Sequence, residues 1–318
     1  MHLVVPFASA LSPAAGAALS TLQWPALERL LARLAPAERL EGDEFSLTPP
    51  HERALARARG WPDAPDGLLP WGADAARADG LPVDDEPAMG WALLAPASWH
   101  VGAEHVSLAN PADLALDEAD ARTLFDALAP LFDEDGWRLH WGAATRWYAR
   151  HPSLATLPTA SADRVIGRSV DLWLGSDPAA RTVRRLQAEA QMLLHRQPLN
   201  EAREAAGQLP VNSFWLSGTG TPAPAAAGGD VMVADGLRAP ALAEDWTAWA
   251  EAWAALDAGA VAGLLARAQA GEPVRLTLCG ERHAQVFDTA GAGRGRPWWQ
   301  RGPLAPRRDD PARWLAAL

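Results

Sequence analysis

Residues 184–220 constrain the fold more than any other stretch. Val183, Leu186, Ala190 and Leu193 or Leu194 recur at the spacing of one helical face, with Arg184, Arg185 and Glu189 elsewhere, which predicts an amphipathic helix over 181–195. Pro198 breaks it, because the proline ring lacks an N–H and pushes the preceding residue out of helical geometry. Asn200 is then placed to cap a short helix running through Arg203 and Glu204, and Gly207 to take the left-handed turn that closes it. Ser213, Phe214, Trp215 and Leu216 read as a buried strand of a mainly parallel sheet with flanking helices.

The strand is followed by Ser217-Gly218-Thr219-Gly220, at the end of a strand where open α/β sheets bind ligands. Two readings of this tetrapeptide stand side by side. Its glycines let the backbone approach an anion while two hydroxyls donate to it, or it is a plain turn. Pro222 and Pro224 stand where a phosphate-capping helix would begin, so a dinucleotide fingerprint is not supported. The candidate ligand-binding set is Asn200, Arg203, Asn212, Ser217, Gly218, Thr219 and Gly220, with Arg203 as the charge partner of a phosphate or carboxylate. The competing assignment makes Asn200 a cap, Asn212 a tie at the strand's entry and Arg203 a solvent-facing side chain.

The run from Arg184 to Gly220 resembles the proteobacterial proteins described as RpfE-type regulatory proteins or as phosphoglycerate mutases. The likeness extends to Asp163-Arg164-Val165-Ile166-Gly167-Arg168, to Asp245-Trp246-x-x-Trp249 and to Leu276-Thr277-Leu278-Cys279-Gly280-Glu281, and so covers most of the chain. Within it, Pro198-x-Asn200-x-x-Arg203-x-x-x-Gly207-x-x-Pro210-x-Asn212 and Gly218-x-Gly220 also resemble a stretch of the archaeal-type cofactor-independent phosphoglycerate mutases. This second resemblance implies an α/β scaffold of the alkaline-phosphatase and phosphomutase type in the second half of the chain. In that family a Ser nucleophile works beside two metal ions held by Asp and His clusters.

Departures from the mutase pattern limit what it implies. The mutases open with a strand followed by an Asp-Gly metal motif, whereas this chain opens His2-Leu3-Val4-Val5-Pro6-Phe7-Ala8-Ser9 with no carboxylate after the strand. Gln197 stands where a His commonly precedes the Pro-x-Asn step, and Cys279-Gly280-Glu281-Arg282-His283 offers too few carboxylates for the late metal region. The expectation is a phosphoglycerate-mutase-like protein with a degenerate metal centre. It needs no cofactor, has no assigned catalytic residue, and binds a small anion or acts in regulation. The alternatives are an active phosphomutase, an isomerase on a small phosphorylated acid, and an interaction protein without a small ligand.

Composition excludes other chemistry. All 28 residues in the Lys plus Arg count are Arg, so no lysine is present for a Walker-type phosphate site or a Schiff base. A net charge of -11 argues against general nucleic-acid binding and anionic membranes. The tail, with Arg294, Arg296, Arg301, Arg307, Arg308 and Arg313, is a local exception that reads as a solvated or docked terminus. A single cysteine, Cys279, rules out an intramolecular disulfide and reads as a buried thiol, with His283 the only local base. No apolar run approaches the ~20 residues that span a bilayer. The first nineteen residues are broken by Pro6 and Pro13 and lack a basic start, so a cytoplasmic protein is expected.

Elsewhere the pattern predicts helices over 25–34, 51–59, 117–128 and 241–256, and strands over 91–101, 105–108, 231–233 and 274–279. A hairpin is expected over 136–150 with Gly142 available for its turn, and 60–87 reads as a long surface connection. The domain boundary is placed between 165 and 166, an N-terminal α/β region preceding a phosphomutase-like one, or the whole is one large unit. His100, Glu104 and His105 suggest either a metal site or a structural pair. Trp246, Trp249 and Trp253 share a helical face and suggest either a stacking platform or core.

Overall fold

The computed structural model describes residues 1–83, 88–102, 105–175, 178–224, 230–290 and 310–318. The strands are β1 (His2–Val5), β2 (Ala35–Leu40), β3 (Gly90–Ala97), β4 (Trp99–Val101), β5 (Val106–Leu108), β6 (Arg138–Ala143), β7 (Arg146–His151), β8 (Ser213–Gly220), β9 (Val231–Val233), β10 (Arg275–Cys279) and β11 (Ala284–Asp288). The class is mixed α/β. The chain forms two compact units, Met1–Trp61 with Ala226–Leu318, and Pro62–Ala225. The boundary expected at 165/166 therefore falls inside the second unit. The chain leaves the first unit after helix Pro50–Ala58 and supplies its next strand there only at β9, a non-local pairing that composition along the chain does not register.

In the first unit the sheet order is β2-β11-β10-β1-β9. β1 pairs in parallel with both β9 and β10, while β11 runs antiparallel to β10 and β2. Alternation along the strands sorts side chains to two faces. Leu3, Val5, Leu276 and Leu278 join one core with Leu27 and Leu30 of helix Pro25–Leu31, Trp249 and Trp253 of helix Trp246–Leu256, and Leu264 and Leu265 of helix Ala262–Gln269. Val4 and Cys279 face the other way, against Leu40, Ala284 and Ala54 of helix Pro50–Ala58. Asp257 is buried, and its carboxylate accepts from Ala26 N at 3.0 Å and Leu27 N at 2.8 Å, satisfying the first turn of Pro25–Leu31 from a distant part of the chain.

The second unit is built on a wholly antiparallel sheet, β6-β7-β3-β8. Ser213–Gly220 thus contradicts the expected parallel setting, although Phe214 and Trp215 are buried as expected. An apolar run marks burial, and burial does not specify strand direction. Helix Pro178–Leu194 puts Val183, Leu186, Ala190 and Leu194 into the core with Phe214, Leu216 and helix Glu118–Glu134. Helix Trp71–Ala78 forms within the stretch read as a surface connection, and its Ala73 and Ala76 pack with Trp91 and Tyr148. A Cβ at Gly72 would lie 2.5 Å from the Ala92 carbonyl carbon, so the helix rests directly on β3. The hairpin β6–β7 turns after Ala143, not at Gly142. Gly142 lies at the register shift between Trp141 and Ala143, where a Cβ would sit 2.6 Å from both Asp79 Oδ2 and Tyr148 Cε2.

Candidate functional site

Asn200 is the third residue of helix Pro198–Ala205, whose N-cap is Gln197. Its buried amide donates to Leu194 O at 2.9 Å and Val211 O at 2.8 Å and accepts from Val211 N at 2.9 Å. It therefore closes the preceding helix and fixes the approach to β8, rather than capping its own helix. Arg203, expected to face an anion or solvent, is 3% exposed. Its guanidinium donates to Leu209 O at 3.0 Å and to Leu114 O, and lies 3.8 Å from Asp120. Asn212 pairs with Trp99 as a backbone residue would, accepting from Trp99 N at 2.7 Å and donating to Trp99 O at 2.9 Å. This agrees with the strand-entry assignment.

Ser217, Gly218, Thr219 and Gly220 continue β8 and form no terminal turn. Gly218 has φ 62, and a Cβ there would come within 2.9 Å of Trp71 Cβ and 3.1 Å of Gly72 N. The close approach it permits is that of helix Trp71–Ala78. The fully buried Thr219 hydroxyl lies 2.6 Å from Leu157 O, 3.0 Å from Gly67 O and 2.9 Å from Thr159 Oγ1. The seven residues share one unit, but Asn200, Arg203, Asn212 and Thr219 spend their polar atoms on main chain and neighbours. Gly207, at φ 72, closes helix Pro198–Ala205 as expected.

A different cluster, missed in the sequence because its members are scattered, gathers at the carboxyl ends of β1 and β10 in the first unit. Phe7, at φ 54, packs against His51 with ring centroids 5.0 Å apart and the planes tilted by 36°. Arg53, two residues on in helix Pro50–Ala58, donates to Glu41 O at 2.7 Å, and Gly42 N donates to His283 Nδ1 at 3.2 Å. A Cβ on Gly42 would collide with the Arg53 guanidinium, so glycine lets this cation lie flat against the loop after β2. Burial, then Arg39 and Arg282, holds the His283 imidazole below its ordinary range. Cys279 is wholly buried and burial pushes its thiol up, Arg53 opposing, which fits the buried thiol expected from the sequence. The loop after β1 is tied by Ala8 N to Cys279 O at 2.7 Å and by the indoles of Trp249 and Trp253, which donate to Phe7 O at 3.0 Å and Ala8 O at 3.2 Å. The tryptophan stripe is thus core.

Among the described residues no group of three or more His, Cys, Asp or Glu is placed to hold a metal ion. Glu104 and the tail arginines 294, 296, 301, 307 and 308 lie outside the described residues, and His100 belongs to β4. No described helix is long and apolar enough to cross a membrane.

Together these features define a two-unit mixed α/β protein with a cation- and imidazole-bearing cluster at the ends of parallel strands. No protein-family model and no curated protein matches the chain. Among solved structures it is similar to the cofactor-independent phosphoglycerate mutase from Thermoplasma acidophilum DSM 1728, with 14% identity, a TM-score of 0.38, and coverage of 90% of this chain and 89% of that one. It is also similar to the PH0037 protein from Pyrococcus horikoshii, with 13% identity, a TM-score of 0.47, and coverage of 90% and 86%.

Proposed function

We propose that this is a phosphoglycerate-mutase-like protein that binds a small phosphorylated or carboxylate anion and does not perform two-metal phosphoryl transfer. The observation that carries this reading is the residue set near the ends of β1 and β10: His51 packs against Phe7, in the segment after the first strand where the mutases carry their first metal motif, while Arg53 and His283 meet the loop after β2 at Glu41 O and Gly42 N. A guanidinium and an imidazole gathered on one loop suit an anion, whereas two divalent ions need a dense set of carboxylate and imidazole ligands. A regulatory role of the RpfE type would act through occupancy of this same site.

Thermal shift with phosphate and 3-phosphoglycerate, run with Mn²⁺ and with EDTA, tests the reading. Stabilisation that survives EDTA and is lost in Arg53→Gln supports it. Metal-dependent turnover of phosphoglycerate, with about two bound metals per chain by elemental analysis, would establish the active phosphomutase instead. The absence of any anion-induced shift would favour an interaction protein without a small ligand.

A further inference from the structure

The second unit holds a cavity of about 30 Å³ that the anion reading does not use, lined by Leu157, Trp173, Val183, Arg184, Gln187 and Trp215 among others. There is room for roughly two waters or the head of a small organic group. Its wall is mostly apolar and aromatic, yet two of its lining side chains carry polar atoms with no hydrogen-bond partner, the Trp173 indole Nε1 and the Gln187 Oε1. Both residues are deeply buried, at 5% and 3% exposure.

Buried polar atoms are ordinarily hydrogen-bonded, so a donor and an acceptor left open at one cavity call for a complementary pair. The orientation of the Gln187 amide follows from its own contact. Its Nε2 donates to Phe214 O at 3.3 Å, and turning the amide over would set two acceptors face to face. The oxygen is therefore the open atom. The neighbouring Trp215 indole is already satisfied by Ala160 O at 3.0 Å, which leaves Trp173 as the indole donor.

We propose that this cavity binds a small neutral carboxamide, whose N–H donates to Gln187 Oε1 and whose C=O accepts from Trp173 Nε1. A carboxylate fits poorly, since it has no proton to offer the Gln187 oxygen and its desolvated charge would face an acceptor. Arg184 is exposed on the same helix and is not needed for a neutral head group. The proposal is independent of the anion site, which lies in the other unit.

Propionamide and propionate, equal in shape and different in charge and proton count, are the probes. In ¹⁵N-labelled protein the Trp173 indole cross-peak is assigned by its loss in Trp173→Phe. Titration with propionamide to about 50 mM is expected to move this peak saturably with a roughly millimolar Kd, as suits a ligand of so few atoms. Propionate is expected to leave it in place, and Gln187→Met to weaken amide binding about tenfold. A peak that stays still, that drifts linearly without saturation, or that responds equally to propionate would overturn the proposal. So would unchanged affinity in a folded Gln187→Met. The amide-to-carboxylate comparison in the parent protein decides the matter even where that variant fails to fold.

Discussion

The indole of Trp249 donates to the carbonyl oxygen of Phe7 across 3.0 Å, and Phe7 is held at φ 54. A bulky side chain in the left-handed region costs roughly 1–2 kcal/mol, so this conformation persists only because the surroundings hold it. Trp249→Phe removes the donor and leaves space in a fully buried site. The expected loss is about 2–4 kcal/mol by urea unfolding, with weaker anion stabilisation because Phe7 packs against His51. Trp246→Phe, at the less buried start of the same helix, is expected to cost much less. Equal losses would mean that the indole-to-carbonyl bond contributes little.

Gly218 and Gly207 both have positive φ, at 62 and 72, but only Gly218 is crowded. Gly207→Ala should cost about 1 kcal/mol, the backbone penalty alone. Gly218→Ala adds overpacking against Trp71 and Gly72 and should cost about 2–4 kcal/mol. Circular-dichroism melts of the two variants check the ranking, and a reversed order would show that helix Trp71–Ala78 shifts away at little cost.

Asn200→Ala strands two main-chain groups, Val211 O and Val211 N, in a buried setting and leaves Leu194 O with Gln197 N alone. A loss of about 2–4 kcal/mol is expected, without any change in anion-induced stabilisation. Asn200→Asp should fail to rescue, since a carboxylate cannot donate to the two carbonyls. If Asn200→Ala instead abolished the anion response with little loss of stability, the ligand site would belong here after all.

His2 is half-buried, and its Nε2 lies 2.7 Å from Thr277 Oγ1. Burial, then Arg275, lowers its pKa from 6.5 to about 4. An imidazole neutral in the folded state and titrating normally in the unfolded one stabilises the fold fully above the unfolded value. That contribution falls away as pH drops from 6.5 towards 4 and is absent below both. His140, His151 and His283 shift in the same direction, burial leading in each, so His2 supplies a share of the acid sensitivity. Melting temperatures of the parent and His2→Gln across this window should converge towards its acid end, and curves that stay parallel would exclude His2 as a source.

Where periodicity and local punctuation set the structure, the sequence is legible. The helix before Pro198, the left-handed Gly207, the hairpin strands and the apolar Trp249–Trp253 face all follow from neighbours in the chain. Asp245, accepting from Ala248 N at 2.9 Å, gives its helix an ordinary N-cap. What was hidden depends on distant partners. The direction of β8 is set by β3, and the helix at Trp71 is concealed by flanking Pro and Gly. The site-like glycines serve a helix that packs over them. The cluster at Arg53 and His283 joins residues more than two hundred positions apart, and no spacing rule links them.

The interrupted path of the first unit bears on biosynthesis. Residues 62–225 are contiguous and can complete their sheet while the ribosome is still at work, but β1 must wait for β9 and β10 before it has a neighbour on either side. At about 5–20 residues per second that delay is of order tens of seconds. Throughout it Leu3, Val4 and Val5 form a nascent apolar strand with both edges open, the period in which a chaperone would have most to protect.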